Sequence, residues 1–131
     1  MISKTLKFKD FDGNEISQTH YFHLSEPDLI EMESSRDGGL HAYLQRVIEE
    51  KNPRHILEMF KWLLLQAYGE RRDATHFVKS DEIREWFKSS LAYNSLYMEL
   101  ATDADSGSEF INGLINEEAM SAIKALEEAK S

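Results

Sequence analysis

Cysteine is absent from the 131 residues, so the chain can form no disulfide framework, no thiolate zinc site and no cysteine nucleophile. A reducing, cytosolic setting suits such a chain. Long hydrophobic runs are missing as well. The longest, Trp62 to Leu65, falls far short of the roughly 20 apolar residues that span a bilayer. Lys4, Lys7 and Lys9 interrupt the N-terminus before an apolar stretch of signal-peptide length can form. These absences predict a soluble protein with no membrane partner. Basic residues are in deficit, 15 against 24 acidic for a formal net charge of -9, and such a surface repels phosphate backbones and anionic lipid. Nucleic acid is therefore excluded as an expected partner. The acids are also spread through amphipathic segments beside Lys and Arg, not packed in the dense arrays that would imitate DNA.

What remains is enough to fold. A chain of this length buries roughly two-thirds of its unfolded surface without help from disulfides or metals, and no repeat, low-complexity stretch or linker divides it. Ile2, Leu6 and Phe8 share one face of an alternating segment, Asp12-Gly13 supplies a turn, and Ile16, Phe22 and Leu24 resume the alternation. This predicts a β-hairpin over residues 2–24, whose apolar face must rest on helices because a hairpin alone is marginal in water. Ser25, Pro27 and Asp28 carry the signature of a capped helix start running to about Ser34. Asp37-Gly38-Gly39 breaks the chain before a second helix through Leu40, Leu44 and Val47, and Asn52-Pro53 punctuates again. Ile56, Phe60, Leu63, Leu64 and Ala67 then mark the central core helix, expected to stop at Gly69. Glu70 to His76 is polar and aperiodic and reads as an exposed loop. Ser80 caps a helix with Ile83, Trp86 and Phe87 on one face, Ser89-Ser90 interrupts it, and Leu91 to Leu100 continues helical. Ser106 and Glu109 have capping-box spacing before a short helix through Phe110, Ile111 and Leu114. The fold class expected is α+β, mostly α. An N-terminal β-hairpin packs on a bundle of about five to seven helices, in a globular domain over 1–115 with its helical body at 25–115. Residues 116–131 form an amphipathic C-terminal helix or tail, with Met120, Ile123 and Leu126 on a narrow face.

Chemistry is harder to find. His20 and His23 point to opposite faces of a strand, and His41, His55 and His76 fall on separate segments without a His-Glu-x-x-His spacing, so no metal site is expected. There is no nucleophile elbow, P-loop or dinucleotide fingerprint, hence no cofactor. Glu99 and Asp103 share a helix face at i, i+4, yet no base, nucleophile or ligand accompanies them, and capping and solvation account for both. The pattern points to a binding or assembly protein, not an enzyme. Aromatic density around Trp86, Phe87, Tyr93 and Tyr97 fits that class. Trp86, Phe87 and Leu96 are expected in the core, and Tyr93 and Tyr97 at the surface.

Several ordered words carry a more specific signal. They are Phe11-Asp12-Gly13 in the hairpin, Gly38-Gly39-Leu40 followed by Ala42 to Arg46, and Tyr68-Gly69-Glu70-Arg71. Then come Phe77 to Glu82, Ala92-Tyr93, Met98 to Asp103, and Phe110-Ile111-Asn112-Gly113. In this order they resemble the tail assembly chaperone family of long-tailed bacteriophages, over residues 1–115. The family commonly carries a serine and a glycine in the loop after its Tyr/Phe-Gly-Glu-Arg, where this chain has Arg72 and Ala74-Thr75. The resemblance implies a non-enzymatic protein of the host bacterial cytoplasm that coats the tape measure protein during tail assembly and is absent from the mature virion. The alternative is a structural tail completion or connector protein that stays in the particle. Tape measure proteins are long and rich in amphipathic helix, so the implied partner surface is a groove for a helix, flanked by Tyr93, Tyr97, Phe110, Ile111 and Leu114. Assembly of copies into a homo-oligomeric ring or spiral along the tape measure suits a coating role.

Overall fold

The computed structural model describes residues 1–115; the expected tail over 116–131 lies outside the described residues. Strands β1 (Ile2–Lys9) and β2 (Glu15–Phe22) pair antiparallel in register from Ile2 opposite Phe22 to Lys9 opposite Glu15. The turn between them is held by Asp10, whose carboxylate accepts the backbone N–H groups of Asp12 and Asn14 at 2.9 and 2.8 Å. Gly13 occupies φ +86° there, a conformation other residues adopt only at a steric cost. The predicted alternation holds. Leu6 and Phe22 are buried on the inner face, while Thr5 and Thr19 exchange a hydroxyl hydrogen bond of 2.9 Å across the outer one.

Helices follow where local signals placed them: α1 (Glu26–Ser35), α2 (Leu40–Glu50) and α3 (Pro53–Ala67). Ser25 and Asp28 form a reciprocal capping box on α1, and Asn52 caps α3 ahead of Pro53. Gly39 offers α2 no side-chain cap, so the carboxylate of buried Glu33 reaches over from α1 and accepts the Leu40 N–H at 2.7 Å. The linking turn is fixed a second time by Arg36, whose guanidinium carbon lies 4.0 Å from the Trp62 ring centre and 4.4 Å from that of Tyr43.

The segment expected as a loop departs from the prediction. After Ala67 the chain leaves α3 directly into β3 (Tyr68–Arg71), which pairs antiparallel with β2 through Tyr68 and Gly69. A tight turn brings β4 (Phe77–Val78) back against Glu70 and Arg71. The N-terminal hairpin is thus half of a four-stranded antiparallel sheet in the order β1-β2-β3-β4. Gly69 makes this possible, since a Cβ there would stand 2.8 Å from the Val78 carbonyl oxygen and from the Phe77 ring. Strands of four and two residues are too short to show an alternation.

Helices α4 (Asp81–Lys88) and α5 (Leu91–Thr102) are capped by Ser80 and Ser90 and separated at the Ser89-Ser90 break. The last described helix, α6 (Ala104–Leu114), starts ahead of the predicted Ser106 cap. Asp103, extended at φ -125°, accepts the N–H groups of Asp105 and Ser106 and the Ser106 hydroxyl, which places Ser106 inside the first turn. One contiguous core joins the inner face of the sheet to α3 and α5 through Phe22, Met59, Leu63, Leu64 and Leu96, all 0 % exposed. Among the described residues no helix is long and apolar enough to cross a membrane.

Candidate partner-binding face

Two aromatic side chains stand largely in solvent, Phe11 on the β1–β2 turn at 90 % and Trp86 on helix α4, and of the two Trp86 borders a groove. The rotation of α4 is fixed from inside: the Phe87 ring is 1 % exposed, and the Arg84 Nε donates to the Leu65 carbonyl of α3 at 2.8 Å. Successive helical residues are about 100° apart, so burying Phe87 swings its neighbour Trp86 to the flank. Trp86 is accordingly 80 % exposed, which corrects the expectation that it belongs to the core. Beside it an open groove of about 590 Å³ runs between α4 and the β3–β4 turn, floored by Val78 and Ile83 and rimmed by Glu70, Glu82 and Glu85. Arg72 pairs with Glu70 at 3.1 Å. Glu82 and Glu85 have no cationic partner among the described residues, so the rim carries net negative charge.

The residues predicted for a partner groove lie elsewhere. Tyr93, Phe110 and Leu114 are 8, 4 and 6 % exposed and belong to the core; Tyr97 and Ile111 pack against it and are partly exposed. Tyr93 sits edge-on to Phe87 at 5.7 Å, and Phe110 edge-on to Phe22 at 5.3 Å. Burial pushes the Tyr93 phenol above its ordinary pKa, with a smaller push from Tyr97. The surface expected for Tyr93 is therefore occupied by α4 and α5 packing together. The sequence does not separate Trp86 from Phe87, because Ile83, Trp86 and Phe87 at i, i+3 and i+4 form one stripe, and only the packing of Phe87 and the Arg84 bond to α3 turn the indole outward.

The remaining polar groups are engaged in structure. Glu99 forms an ion pair with Lys4 of β1, which accounts for an oxygen otherwise buried without a hydrogen bond. Asp103 is consumed as the α6 cap. His55 bonds Glu50 and His76 bonds Asp73 at 3.0 and 2.8 Å, each at the surface. Among the described residues no group of three or more His, Asp or Glu side chains is placed to hold a metal ion.

Across residues 1–131 the sequence matches the family described as phage tail assembly chaperone. The chain belongs to that family. No curated protein and no solved structure matches it. In this tail assembly chaperone two of the words that carried the resemblance contribute to the groove, through Glu70 and through Val78, Ser80 and Glu82. Tyr68 to Arg71 is strand β3 entire, and Phe77 to Glu82 comprises β4, the Ser80 cap and the first turn of α4. Phe110 to Gly113 lies on α6, where a Cβ on Gly113 would stand 2.6 Å from the Ile2 side chain of β1.

Proposed function

We propose that this tail assembly chaperone binds and coats the tape measure protein, keeping it soluble until the tail tube polymerises around it. The observation that carries the reading is the exposed Trp86 beside a groove with an apolar floor, on a body whose other aromatic side chains, Phe11 of the hairpin turn apart, are buried or half-buried among the described residues. A tape measure protein in isolation exposes long apolar stripes that aggregate. Shielding them calls for modest contacts repeated along the length, strong in sum and individually displaceable as tube subunits arrive. Tyr97 and Ile111, supported from beneath by Tyr93, Phe110 and Leu114, supply a second apolar contact on α5 and α6. Copies lining the tape measure form the coat, in the host cytoplasm, and leave before the virion is complete.

Co-expression with the cognate tape measure protein tests this. A soluble complex is expected; a tape measure that stays insoluble, with nothing co-eluting, defeats the reading. Mass spectrometry of purified virions separates the chaperone from a tail completion or connector protein, since the chaperone is expected to be missing there.

A further inference from the structure

We propose that the Trp86 groove is the docking site and that its occupant is a cationic amphipathic helix, an apolar stripe flanked by Lys and Arg. The inference rests on the tape measure reading above and names the chemistry of the segment recognised.

Three observations converge. The groove floor is apolar, through Val78 and Ile83, and Trp86 stands 80 % exposed beside it. A Trp side chain buries about 150–250 Å² when covered, enough to anchor a small interface. Its rim is anionic, because Arg72 neutralises Glu70 while Glu82 and Glu85 stand without cationic partners among the described residues. Glu82 lies four residues before Trp86 on α4, so carboxylate and indole share one side of the helix. A guanidinium or ammonium laid over the indole face meets the ring and the carboxylate together.

The partner's backbone geometry follows from the sheet. Strand β4 ends the sheet but is only two residues long, Phe77 and Val78. Strand addition draws on a run of backbone hydrogen bonds that so short an edge does not offer. Recognition must come from side chains entering a groove, which is the mode of an amphipathic helix. A second copy of this chain is a poor occupant, because its net charge of -9 repels the same acidic rim.

The test uses the full-length chaperone and the cognate tape measure protein as the probe, co-expressed and then titrated with salt. Wild type is expected to yield a complex whose affinity falls about tenfold or more between roughly 0.1 and 1 M salt. Trp86→Ala, and separately Glu82→Lys with Glu85→Lys, are expected to weaken it about tenfold or more with circular dichroism unchanged. Ile48→Ala removes another exposed apolar side chain, on α2 and outside the groove, and should leave binding intact. Should both groove variants bind as wild type does, the groove is not the site, although the chaperone reading stands. If wild type binds nothing, both fall. Equal loss in Ile48→Ala, or binding that strengthens with salt, overturns the inference. So does sedimentation showing a wild-type self-assembly that Trp86→Ala dissolves, since the occupant is then a second copy.

Discussion

Tyr68 and Phe87 stack face to face, ring centres 3.8 Å apart and planes within 5° of parallel, joining strand β3 to helix α4. The pair lies behind the groove and decides which way α4 faces. Phe87 also meets Phe22 and Tyr93 edge-on at 5.9 and 5.7 Å and His20 at 5.3 Å, so its removal opens a hole among four rings. Phe87→Ala should cost about 3–5 kcal/mol, whereas exposed Trp86→Ala should change stability by less than about 0.5 kcal/mol. Urea unfolding followed by circular dichroism reads both. Equal losses would mean that the indole also supports the fold.

Lys79 joins three elements at one point. Its ammonium donates to the His23 carbonyl at 2.7 Å and to the Asp28 carboxylate at 2.8 Å, linking the residue between β4 and the α4 cap to the end of β2 and the start of α1. Burial pushes the Asp28 carboxyl up, but the Lys79 hydrogen bond and the Ser25 N–H outweigh it and hold the group below its ordinary value of 3.8. A depressed carboxyl contributes stability above its unfolded value and loses it as pH falls through the folded one. Lys79→Met should therefore cost about 1–3 kcal/mol at neutral pH and move acid unfolding to higher pH. An unchanged acid midpoint would show that Ser25 alone holds Asp28.

Much of this architecture was legible because its causes are local. Ser25, Asn52 with Pro53, Ser80 and the Ser89-Ser90 break each set a helix end through a bond made within three residues, and the hairpin alternation needs only the period of a strand. What was missed depends on distant partners. The β3–β4 extension is decided by how closely Gly69 approaches Val78 and Phe77. Tyr93 is internal because Phe87 of the preceding helix covers it, and Trp86 is external because the Arg84 bond to α3 fixes the rotation of α4. The ordered words identified the family while leaving open which aromatics face outward, since a stripe of aromatics reads alike as core or contact.

His20 lies on β2 and His23 just beyond its end, and burial lowers both below the ordinary 6.5, with the N-terminal amine and Lys79 adding to the effect at His23. The unfolded chain therefore takes up protons first as pH falls. Their contribution is complete above about pH 6.5 and is lost between that value and the folded pKa values. His20→Phe keeps the ring beside Tyr68 and Phe87, at 5.8 and 5.3 Å in the wild type, and removes the titrating group. Urea midpoints at about pH 7.5 and 5.5 should differ less in the variant than in wild type, with His23 supplying the residual slope. An identical slope would exclude His20 as the source.

Gly69 offers a test that separates the sheet from the groove it supports. An added Cβ meets the Val78 carbonyl oxygen and the Phe77 ring at 2.8 Å, and the backbone oxygen cannot yield without moving β4. Gly69→Ala should destabilise by about 1–3 kcal/mol through overpacking. Because Val78 floors the groove while Trp86 belongs to α4, displacement of β4 should also widen the space beside the indole. Amide exchange is expected to speed at Arg72, whose N–H bonds the His76 carbonyl across the turn at 3.0 Å, before it changes within α3. Loss of protection throughout α3 at the same rate would mean that β3 and β4 unfold only with the whole core, and the groove would then have no local stability of its own.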